Sequence, residues 1–418
     1  MNNCSAEIFY DNAVRYFGYY PQHDYHYLDS AATTHKPDTV IDAISLGYRQ
    51  FSAPVHRASY PASERASMEY ERCREKVAEF ICANSESIVF TKSTTESINM
   101  VAQGWLANQL INQEQASAQH TKGQCIWVSC MEHNANYLPW LRICEQHALT
   151  LKVIPMDIQG NLLWESPEIW QSNTVLIALS HCSNVFGGEN PIAKVCAKAK
   201  ALGIATLIDA AQSASHIGLN VNDIGCDFLV FSAHKMYGPE GIGALYINKL
   251  RSVQMQPLLM GGGIVSCVVN HEVSLVPAPQ CFEAGSPNLS GALGFAAAVQ
   301  LLNHLGVNNI RQYIAWLSRQ FIEQLTQIEG VKLLPRAGGL SHSSVISFIV
   351  EGVHPHDVAH ICGQHAVAIR AGHHCAHLAL QQLEQTAVNR ISLGVYNSTN
   401  DIAPLVAAIC EAKEIFSK

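Results

Sequence analysis

The chain has few charged residues and no dense block of either sign. Charged side chains make up 14% of its 418 residues, and 26 basic residues against 34 acidic residues give a net charge of -8. A protein that neutralises a row of phosphates needs clustered basic side chains, and this sequence has no such cluster. We therefore expect no nucleic acid partner.

Long apolar runs are also missing. No run approaches the roughly 18 residues that suggest a membrane-spanning helix. The chain starts MNNCSAEIFYDNAVRYFGYY, which has neither the basic beginning nor the apolar centre of a secretory signal. We expect no membrane association and a cytoplasmic location.

Paired cysteine motifs are absent, although cysteine itself is not rare. The fourteen cysteines are scattered along the chain without a CxxC pair. This spacing indicates neither a disulfide framework nor a regular zinc site, so we predict no bound metal. Most of these cysteines should be small, buried apolar residues.

What the sequence does contain is a pattern of short apolar runs alternating with helical periods. Hydrophobic residues make up 48% of the chain, and its length favours two domains. Uninterrupted Val/Ile/Leu runs are typical of strands buried on both faces, so the pattern predicts an α/β fold with a mostly parallel sheet. The predicted strands are Ser87–Thr91, Gln124–Ser129, Leu151–Pro155, Val175–Leu179, Ile204–Ile208, Phe228–Phe231 and Gly243–Ile247.

The pattern changes after a helix near Ser290–Leu305. A longer helix from Ile310 precedes a strand at Val345–Val350, and helices at Pro355–His365 and from Asp401 follow. This order predicts a smaller α+β domain. The polar stretch Asn108–Lys122 reads as a helix end followed by a loop.

The segment DFLVFSAHKMYGPEGIGALY places Lys235 just after a buried strand and before a glycine-rich turn. A lysine at the carboxyl edge of a parallel sheet can be desolvated, which lowers its pKa as a Schiff-base amine requires. Taken alone, Lys235 is better read as a solvated lysine in a turn.

Two further segments have polar residues at strand ends. In TLIDAAQSASH, Asp209 ends an apolar strand, and its carboxylate could pair with the protonated ring nitrogen of pyridoxal phosphate (PLP). In FTKSTTESINM, the hydroxyls of Thr94 and Thr95 and the following helix could bind a phosphate. A helix N-cap aspartate and an ordinary capping box are the alternatives for these two segments.

The segment RAGHHCAHL surrounds Cys375 with an arginine and histidines. These neighbours favour the thiolate, which is the nucleophilic form of cysteine. The same side chains could instead bind zinc. That alternative would use His373, His374, Cys375 and His377, whose adjacent spacing suits a tetrahedral site poorly.

Taken together, eight motifs in order along the chain resemble the class V aminotransferase-fold cysteine desulfurases of the SufS/CsdA type. They are YLDSAAT, TKSTTESIN, MEHNANYLPW, SHCSNVFG, IDAAQ, SAHK, FEAGSPN and RAGHHCA. The resemblance implies the aspartate aminotransferase-like, fold type I architecture of PLP-dependent transferases. It places a seven-stranded, mostly parallel sheet in a large domain at residues 27–302, and the active cysteine in a small α+β domain at residues 303–418 together with residues 1–26.

The resemblance also implies roles for individual residues. Lys235 would bind PLP covalently and move the substrate Cα proton, while Asp209 would contact the ring nitrogen and Gln212 the ring hydroxyl. His133 would stack on the ring and assist proton transfer. The remaining cofactor contacts would be made to the phosphate by Thr94, Thr95, Ser232, His234 and, from the other subunit of a homodimer, Ser286.

Substrate contacts follow in the same way. Asn184 and Arg390 would bind the carboxylate of L-cysteine, and Arg370 matches the arginine that precedes the active cysteine. An arginine fork suits such a carboxylate, although Arg390 alone could be an ordinary surface ion-pair residue.

The activity implied is conversion of L-cysteine to L-alanine, with the sulfur held as a persulfide on Cys375. It would then pass to an acceptor protein of the SufE/CsdE kind, in a pathway such as iron–sulfur cluster assembly. A selenocysteine lyase or another class V aminotransferase or lyase shares most of these motifs and remains an alternative. A non-catalytic scaffold in a sulfur-transfer assembly is a further one.

The chain departs from the family pattern at three places. Ser286 stands where threonine is usual, and IVSCVV after Gly263 lacks the usual charged or polar residue and Met. The segment VHRASYPAS keeps His56 and Arg57 but loses the residues usual after them. Serine at position 286 still allows a phosphate contact. The change after Gly263 concerns acceptor docking and the dimer hairpin, and the change after Arg57 concerns the substrate channel.

Overall fold

The fold is described from a computed structural model, for residues 1–18, 25–116, 123–335 and 344–416. Its strands are β1 (His26–Tyr27), β2 (Ile88–Thr91), β3 (Cys125–Ser129), β4 (Thr150–Ile154), β5 (Thr174–Ser180), β6 (Ala205–Asp209), β7 (Phe228–Ser232), β8 (Gly243–Ile247), β9 (Val265–Val269), β10 (Glu272–Leu275), β11 (Val331–Leu333), β12 (Val345–Val350), β13 (Val367–Ala368), β14 (Arg370–Gly372) and β15 (Val388–Ser392).

The α-helices surround these strands. They are α1 (Asn3–Val14), α2 (Asp38–Gln50), α3 (Pro61–Phe80), α4 (Thr94–Met100), α5 (Asn108–Ala116), α6 (Leu138–His147), α7 (Ile192–Ala201), α8 (Val221–Ile224), α9 (Lys249–Ser252), α10 (Leu289–Leu305), α11 (Val307–Thr326), α12 (Pro355–Gln364), α13 (His377–Gln382) and α14 (Ile402–Phe416). A π-helical stretch, Val101–Ala107, joins α4 to α5.

The large sheet has seven strands in the order β2-β8-β7-β6-β5-β3-β4. Strand β8 runs antiparallel to both of its neighbours, and all other pairs are parallel. All seven predicted strands are present, with each end within one residue of its predicted position. The α/β class and the mostly parallel seven-stranded sheet are therefore confirmed.

The sheet is buried on both faces, as its apolar strands require. Every residue of β3, β6 and β7 is buried. Side chains on one face pack in a cluster that includes Phe231 and Phe295, and those on the other face in a cluster that includes Trp140 and Phe228. Burial on both faces leaves the strand ends as the places where polar side chains can meet.

A second, antiparallel sheet of four strands has the order β11-β12-β15-β14. Here β12 and the helices α11, α12 and α14 lie close to the prediction, but the other three strands of this sheet, β11, β14 and β15, were missed, as was the short strand β13. The polar stretch Asn108–Lys122, predicted as a helix end followed by a loop, is helical as far as Ala116, and residues 117–122 lie outside the described residues.

The N-terminal region joins this second part of the molecule. Strand β1 pairs in parallel with β13, and Asp29 forms an isolated parallel bridge with Ser392. Helix α1 packs against α11. Attachment of residues 1–26 to the smaller domain, and the ranges 27–302 and 303–418, stay predictions. No helix within the described ranges is long and apolar enough to cross a membrane.

Candidate active site

A cavity of about 230 Å³ lies where the carboxyl ends of the large sheet meet the second sheet. Ligands of open α/β sheets bind at this edge. Twelve of the predicted site residues line it, namely Thr94, Thr95, His133, Asn184, Asp209, Gln212, Ser232, His234, Lys235, Arg370, Cys375 and Arg390. Ser286 does not line this cavity; it is exposed in the segment before α10.

Asp209 and Lys235 occupy the ends of neighbouring strands. Asp209 is the last residue of β6, and its Oδ1 accepts the Ala211 N–H at 2.9 Å. Burial raises the Asp209 pKa, against the charge of Lys235. Lys235 lies in the turn after β7, and burial lowers the pKa of its amine, against the charge of Asp209. No hydrogen bond joins that amine to another described residue, so the nitrogen is free to bind a ligand.

His133 has a neutral ring. Burial, together with the charges of Lys235 and Arg390, lowers its pKa to about 4. Its Nδ1 accepts the Ala135 N–H at 3.1 Å, which assigns the ring proton to Nε2. A neutral imidazole can stack on the protonated pyridine ring of PLP without charge repulsion.

The turn before Thr94 has an N-cap and a cluster of hydroxyls, but not the reciprocal bond of a capping box. Ser93 caps the helix by accepting the Glu96 N–H at 3.5 Å, and the Glu96 carboxylate accepts the Lys92 N–H. Thr94 donates its N–H to Ser232 Oγ at 2.8 Å, and the two hydroxyl oxygens are 2.7 Å apart. This capped helix start holds a group of hydroxyls and amides at the cavity wall, as an anion site requires.

Cys375 is exposed in a tight turn between β14 and α13. His374 and Cys375 both have left-handed backbones, with φ of 53° and 54°. Two hydrogen bonds hold this turn. Asn184 Nδ2 donates to the His374 carbonyl at 2.8 Å, and the Asn134 N–H donates to the Cys375 carbonyl at 2.6 Å.

The geometry of this turn does not support the alternative that Cys375 and its neighbouring histidines bind zinc. Among the residues with described placement, no group of three His, Cys, Asp or Glu side chains could hold a metal. His374 is buried, with Nε2 lying 3.1 Å from the Val388 carbonyl. The His373 and His377 rings stack on each other with centroids 4.7 Å apart.

Arg390 lies at the cavity wall with unused hydrogen-bonding capacity. Its Nη1 donates to the Asn184 carbonyl at 3.1 Å and its Nη2 to Asp29 Oδ1 at 2.9 Å. Its buried Nε has no partner among the described residues. Sequence reasoning missed Asp29. The residue stands in the YLDSAAT motif, but nothing local links it to an arginine near the other end of the chain.

Glu132, next to His133, is a second residue that sequence reasoning missed. It is 1% exposed, and its carboxylate accepts hydrogen bonds from Ser129 Oγ at 2.5 Å, the Ser180 N–H at 2.8 Å and Asn136 Nδ2 at 2.7 Å. Burial raises its pKa to about 7. Glu132 thus ties the ends of β3 and β5 to the turn that carries His133.

The residues around the cavity fit PLP. The Lys235 amine, which has no hydrogen-bond partner among the described residues, suits the PLP aldehyde, and the opposed Asp209 carboxylate suits the pyridine nitrogen. The neutral His133 imidazole suits the face of the ring, and the hydroxyls near Thr94 suit the phosphate. Gln212 Nε2 donates to the Ala31 carbonyl at 3.1 Å, which leaves its Oε1 to accept a hydrogen bond from a ring hydroxyl.

Comparison with known proteins gives one consistent result. Residues 26–405 match the model of the family described as aminotransferase class-V. A probable cysteine desulfurase of Halalkalibacterium halodurans is 36% identical over 392 residues, 93% of each chain. A cysteine desulfurase of Salmonella gallinarum is 38% identical over 386 residues, 92% of each chain.

A solved structure agrees with these relatives. The cysteine desulfurase CsdA of Escherichia coli superposes with a TM-score of 0.87 at 33% identity, over 97% of this chain and 99% of that one. The chain therefore belongs to the class-V aminotransferase family, whose members are PLP-dependent enzymes. Within that family it belongs to the cysteine desulfurases.

Proposed function

We propose that the protein converts L-cysteine to L-alanine and keeps the sulfur as a persulfide on Cys375. The observation that carries the proposal is that Lys235 and Cys375, far apart in the sequence, line the same cavity. One side chain offers an amine of lowered pKa, and the other an exposed thiol. A desulfurase needs both groups within reach of one substrate.

The cofactor would be PLP, bound covalently to Lys235. When bound, PLP supplies an electron sink for the negative charge that develops at the substrate Cα. Asp209 would hold the ring nitrogen protonated, Gln212 Oε1 would accept a hydrogen bond from the ring hydroxyl, and His133 would cover one ring face. Thr94, Thr95, Ser232 and His234 would bind the phosphate.

Lys235 would also move the Cα proton. Burial lowers the pKa of this amine, so a larger fraction is unprotonated and able to accept a proton than for a solvated lysine. The charge of Asp209 acts in the opposite direction and limits this effect. His133, neutral with its proton on Nε2, would assist by donating or relaying a proton.

Arg390 and Asn184 would bind the substrate carboxylate. The free Nε–H of Arg390 offers one donor, and one further N–H on each terminal nitrogen is unused by the described residues. A planar guanidinium can hold a carboxylate with two parallel hydrogen bonds. Arg370, exposed at the mouth of the cavity, would add positive charge on the approach to the site.

Cys375 would attack the substrate sulfur as a thiolate. A new S–S bond forms while the substrate Cβ–S bond breaks, and its electron pair stays with the carbon skeleton, which gains a proton and leaves as L-alanine. The protein keeps Cys375 with one additional sulfur atom, so atoms and electrons balance without an external oxidant. Asn184 and Asn134, which hold the carbonyls of His374 and Cys375, would keep the thiol aimed into the cavity.

The persulfide would pass to an acceptor protein of the SufE/CsdE kind, as a step in sulfur transfer such as iron–sulfur cluster assembly. The short, hydrogen-bonded turn of Cys375 supports a role for such a partner, because the thiol cannot travel far by itself. The working unit would be a homodimer, with Ser286 reaching the phosphate of the other subunit. We also propose a cytoplasmic location, which suits a chain with fourteen free cysteines.

The test is incubation of the purified, PLP-loaded protein with L-cysteine, followed by measurement of alanine and of protein-bound sulfane sulfur. Wild type should yield both. Lys235→Ala and Cys375→Ser should yield neither above background, while Cys4→Ser, which changes an exposed cysteine of α1, should behave as wild type. Unchanged turnover in Cys375→Ser would favour another class V aminotransferase or lyase.

A further inference from the structure

The backbone turn that carries Lys235 has few hydrogen bonds of its own. Lys235 ends the short helical turn Ala233–Lys235, and the N–H groups of Met236 and Gly238 both donate to the Ala233 carbonyl at 2.9 Å. These two bonds close the turn but do not hold the peptide that precedes Lys235. The direction in which the lysine side chain leaves the turn therefore depends on contacts from elsewhere in the chain.

Thr34 makes such contacts on both sides of Lys235. Its N–H and its hydroxyl donate to the His234 carbonyl at 2.9 Å and 3.1 Å, and the same hydroxyl oxygen accepts the Tyr237 N–H at 2.8 Å. A hydroxyl can donate one hydrogen bond and accept another, so the two contacts of this group are compatible. Thr34 is 5% exposed, and water has little access to these bonds.

These contacts fix the backbone on either side of the lysine. The His234 carbonyl and the Lys235 N–H belong to one planar peptide, so the two donors of Thr34 orient the plane from which Lys235 starts. Tyr237 has a left-handed backbone with φ of 68°, which a residue with a Cβ adopts only when its surroundings hold it there. Its hydroxyl accepts the Val395 N–H at 3.1 Å, so the backbone and the side chain of Tyr237 are both held.

The segment that contains Thr34 is itself anchored to the second sheet. The Ser392 N–H donates to the Leu28 carbonyl at 2.8 Å, and the Ala31 N–H donates to Ser392 Oγ at 2.8 Å. Lys36 Nζ donates to the Thr34 carbonyl at 2.6 Å. A segment fixed to one sheet thus holds the turn that follows a strand of the other sheet.

We propose that Thr34 is a positioning residue for Lys235: its hydroxyl, shared between the His234 carbonyl and the Tyr237 N–H, holds the turn so that the lysine amine reaches the cofactor aldehyde. The inference rests on the proposed function, because it takes Lys235 as the residue that binds PLP covalently. Thr34 does not line the cavity, so it acts through the turn and not by touching cofactor or substrate.

The experiment compares PLP with deoxypyridoxine phosphate, an analogue in which a methyl group replaces the aldehyde. Both ligands present the same ring nitrogen, ring hydroxyl and phosphate, but only PLP can form a bond with Lys235. Dissociation constants of both are measured by titrating the full-length protein after removal of its cofactor. Thr34→Val keeps the side-chain shape and removes the hydroxyl and its two hydrogen bonds, so the dissociation constant of PLP should rise by about tenfold while that of the analogue stays unchanged.

Two variants serve as controls for the loss of the hydroxyl. Thr34→Ser keeps a hydroxyl at this position and should retain the wild-type dissociation constants of both ligands. Thr39→Val, the same exchange at an exposed position of α2, should change neither. Thr34→Ala is measured if Thr34→Val does not fold, because it removes the hydroxyl without filling its place, and it should weaken PLP binding selectively as well.

Equal weakening of PLP and the analogue would show that Thr34 only supports the fold, and would overturn the inference. Unchanged PLP binding in a variant without the hydroxyl would overturn it too. A wild-type protein that releases no alanine from L-cysteine would contradict the proposed function instead, and the two dissociation constants would still test Thr34.

Discussion

At the scale of single residues, the buried carboxylate of Glu132 has the clearest thermodynamic consequence. Three hydrogen-bond donors favour its ionised form, but complete burial outweighs them and raises its pKa from 4.5 to about 7. A carboxyl whose pKa is raised on folding binds a proton more tightly in the folded state. Its contribution to stability is therefore present below pH 4.5 and is lost as the pH rises through about 7.

Glu132→Gln should remove this pH dependence. Between pH 5 and pH 8 the free energy of unfolding of the wild type should fall by about 2 kcal/mol relative to that of the variant. Chemical denaturation at the two pH values, on PLP-free protein, measures the difference. Glu165→Gln, an exposed glutamate, is the control and should follow the wild type. A Glu132→Gln curve parallel to that of the wild type would contradict the assigned pKa.

At the scale of elements, the turn from β14 to α13 determines where the thiol lies. Gly372, which precedes it, has φ of 120°, a backbone region that residues with a Cβ rarely adopt. His374 and Cys375 then follow in left-handed conformations, which cost less because neighbouring amides and carbonyls hold them. The glycine therefore lets the chain enter the turn.

Gly372→Ala should destabilise the protein by about 1 to 3 kcal/mol and lower sulfur transfer to Cys375 by more than it lowers PLP binding. Gly363→Ala is the matched control. This exposed helical glycine has space for a Cβ, so the change should leave stability unchanged or raise it by up to about 1 kcal/mol. Thermal unfolding and a persulfide assay measure both variants. Equal stability and equal persulfide formation in the two variants would contradict the claim that the turn after Gly372 positions the Cys375 thiol.

A second element-scale feature is the ion pair that joins α3 to the segment before α10. Arg74 is 1% exposed, and its five N–H groups reach Glu71, Glu283 and the Ile88 carbonyl. Glu283 also accepts the Phe90 N–H at 2.7 Å. This cluster fixes the start of the segment that carries Ser286.

Arg74→Met should cost about 3 to 5 kcal/mol in the free energy of unfolding, because it leaves the Glu283 carboxylate buried without its counter-charge. Arg72→Met removes the same charge from an exposed pair with Glu69 on the same helix, and should change stability by less than about 1 kcal/mol. Urea denaturation compares the two. Similar losses of unfolding free energy in the two variants would contradict a larger contribution of the buried Arg74–Glu283 pair.

Much of the element scale could be predicted from the sequence. Seven strands followed from continuous apolar runs, because burial on both faces leaves a direct trace in composition. Short strands such as β13 and β14 left none, since they form by pairing with segments distant in sequence. The π-helical stretch after α4 was likewise missed, because a change of helical pitch has no reliable compositional signal.

At the scale of the whole molecule, some residues of the site could likewise be predicted from the sequence and others were missed. Motif resemblance identified twelve residues that the fold brings around one cavity. Asp29 and Glu132 were missed because their roles arise from contacts across the fold: Asp29 reaches Arg390, and Glu132 joins two strand ends. Residues that support others carry no chemistry of their own that a sequence motif would reveal.

The proposed dimer gives a prediction at this scale. Lys235→Ala and Ser286→Trp should each be inactive as homodimers, the second because a bulky side chain blocks the phosphate site of the other subunit. Co-expressed, they should recover about a quarter of wild-type activity, since half of the dimers are mixed and each mixed dimer has one intact site. A co-expressed mixture without activity would place Ser286 in its own subunit's site, and an active Ser286→Trp homodimer would place it outside both sites.

The central claim, that one cavity joins the amine of Lys235 to the thiol of Cys375, is tested most directly by a single-turnover experiment. PLP-loaded protein is mixed with less than one equivalent of L-cysteine, and its peptides are then examined by mass spectrometry. The predicted result is one added sulfur atom on the peptide containing Cys375, in equal amount to the alanine released, and none in Lys235→Ala. Alanine released with no sulfur on that peptide, or sulfur found on another cysteine, would contradict the account.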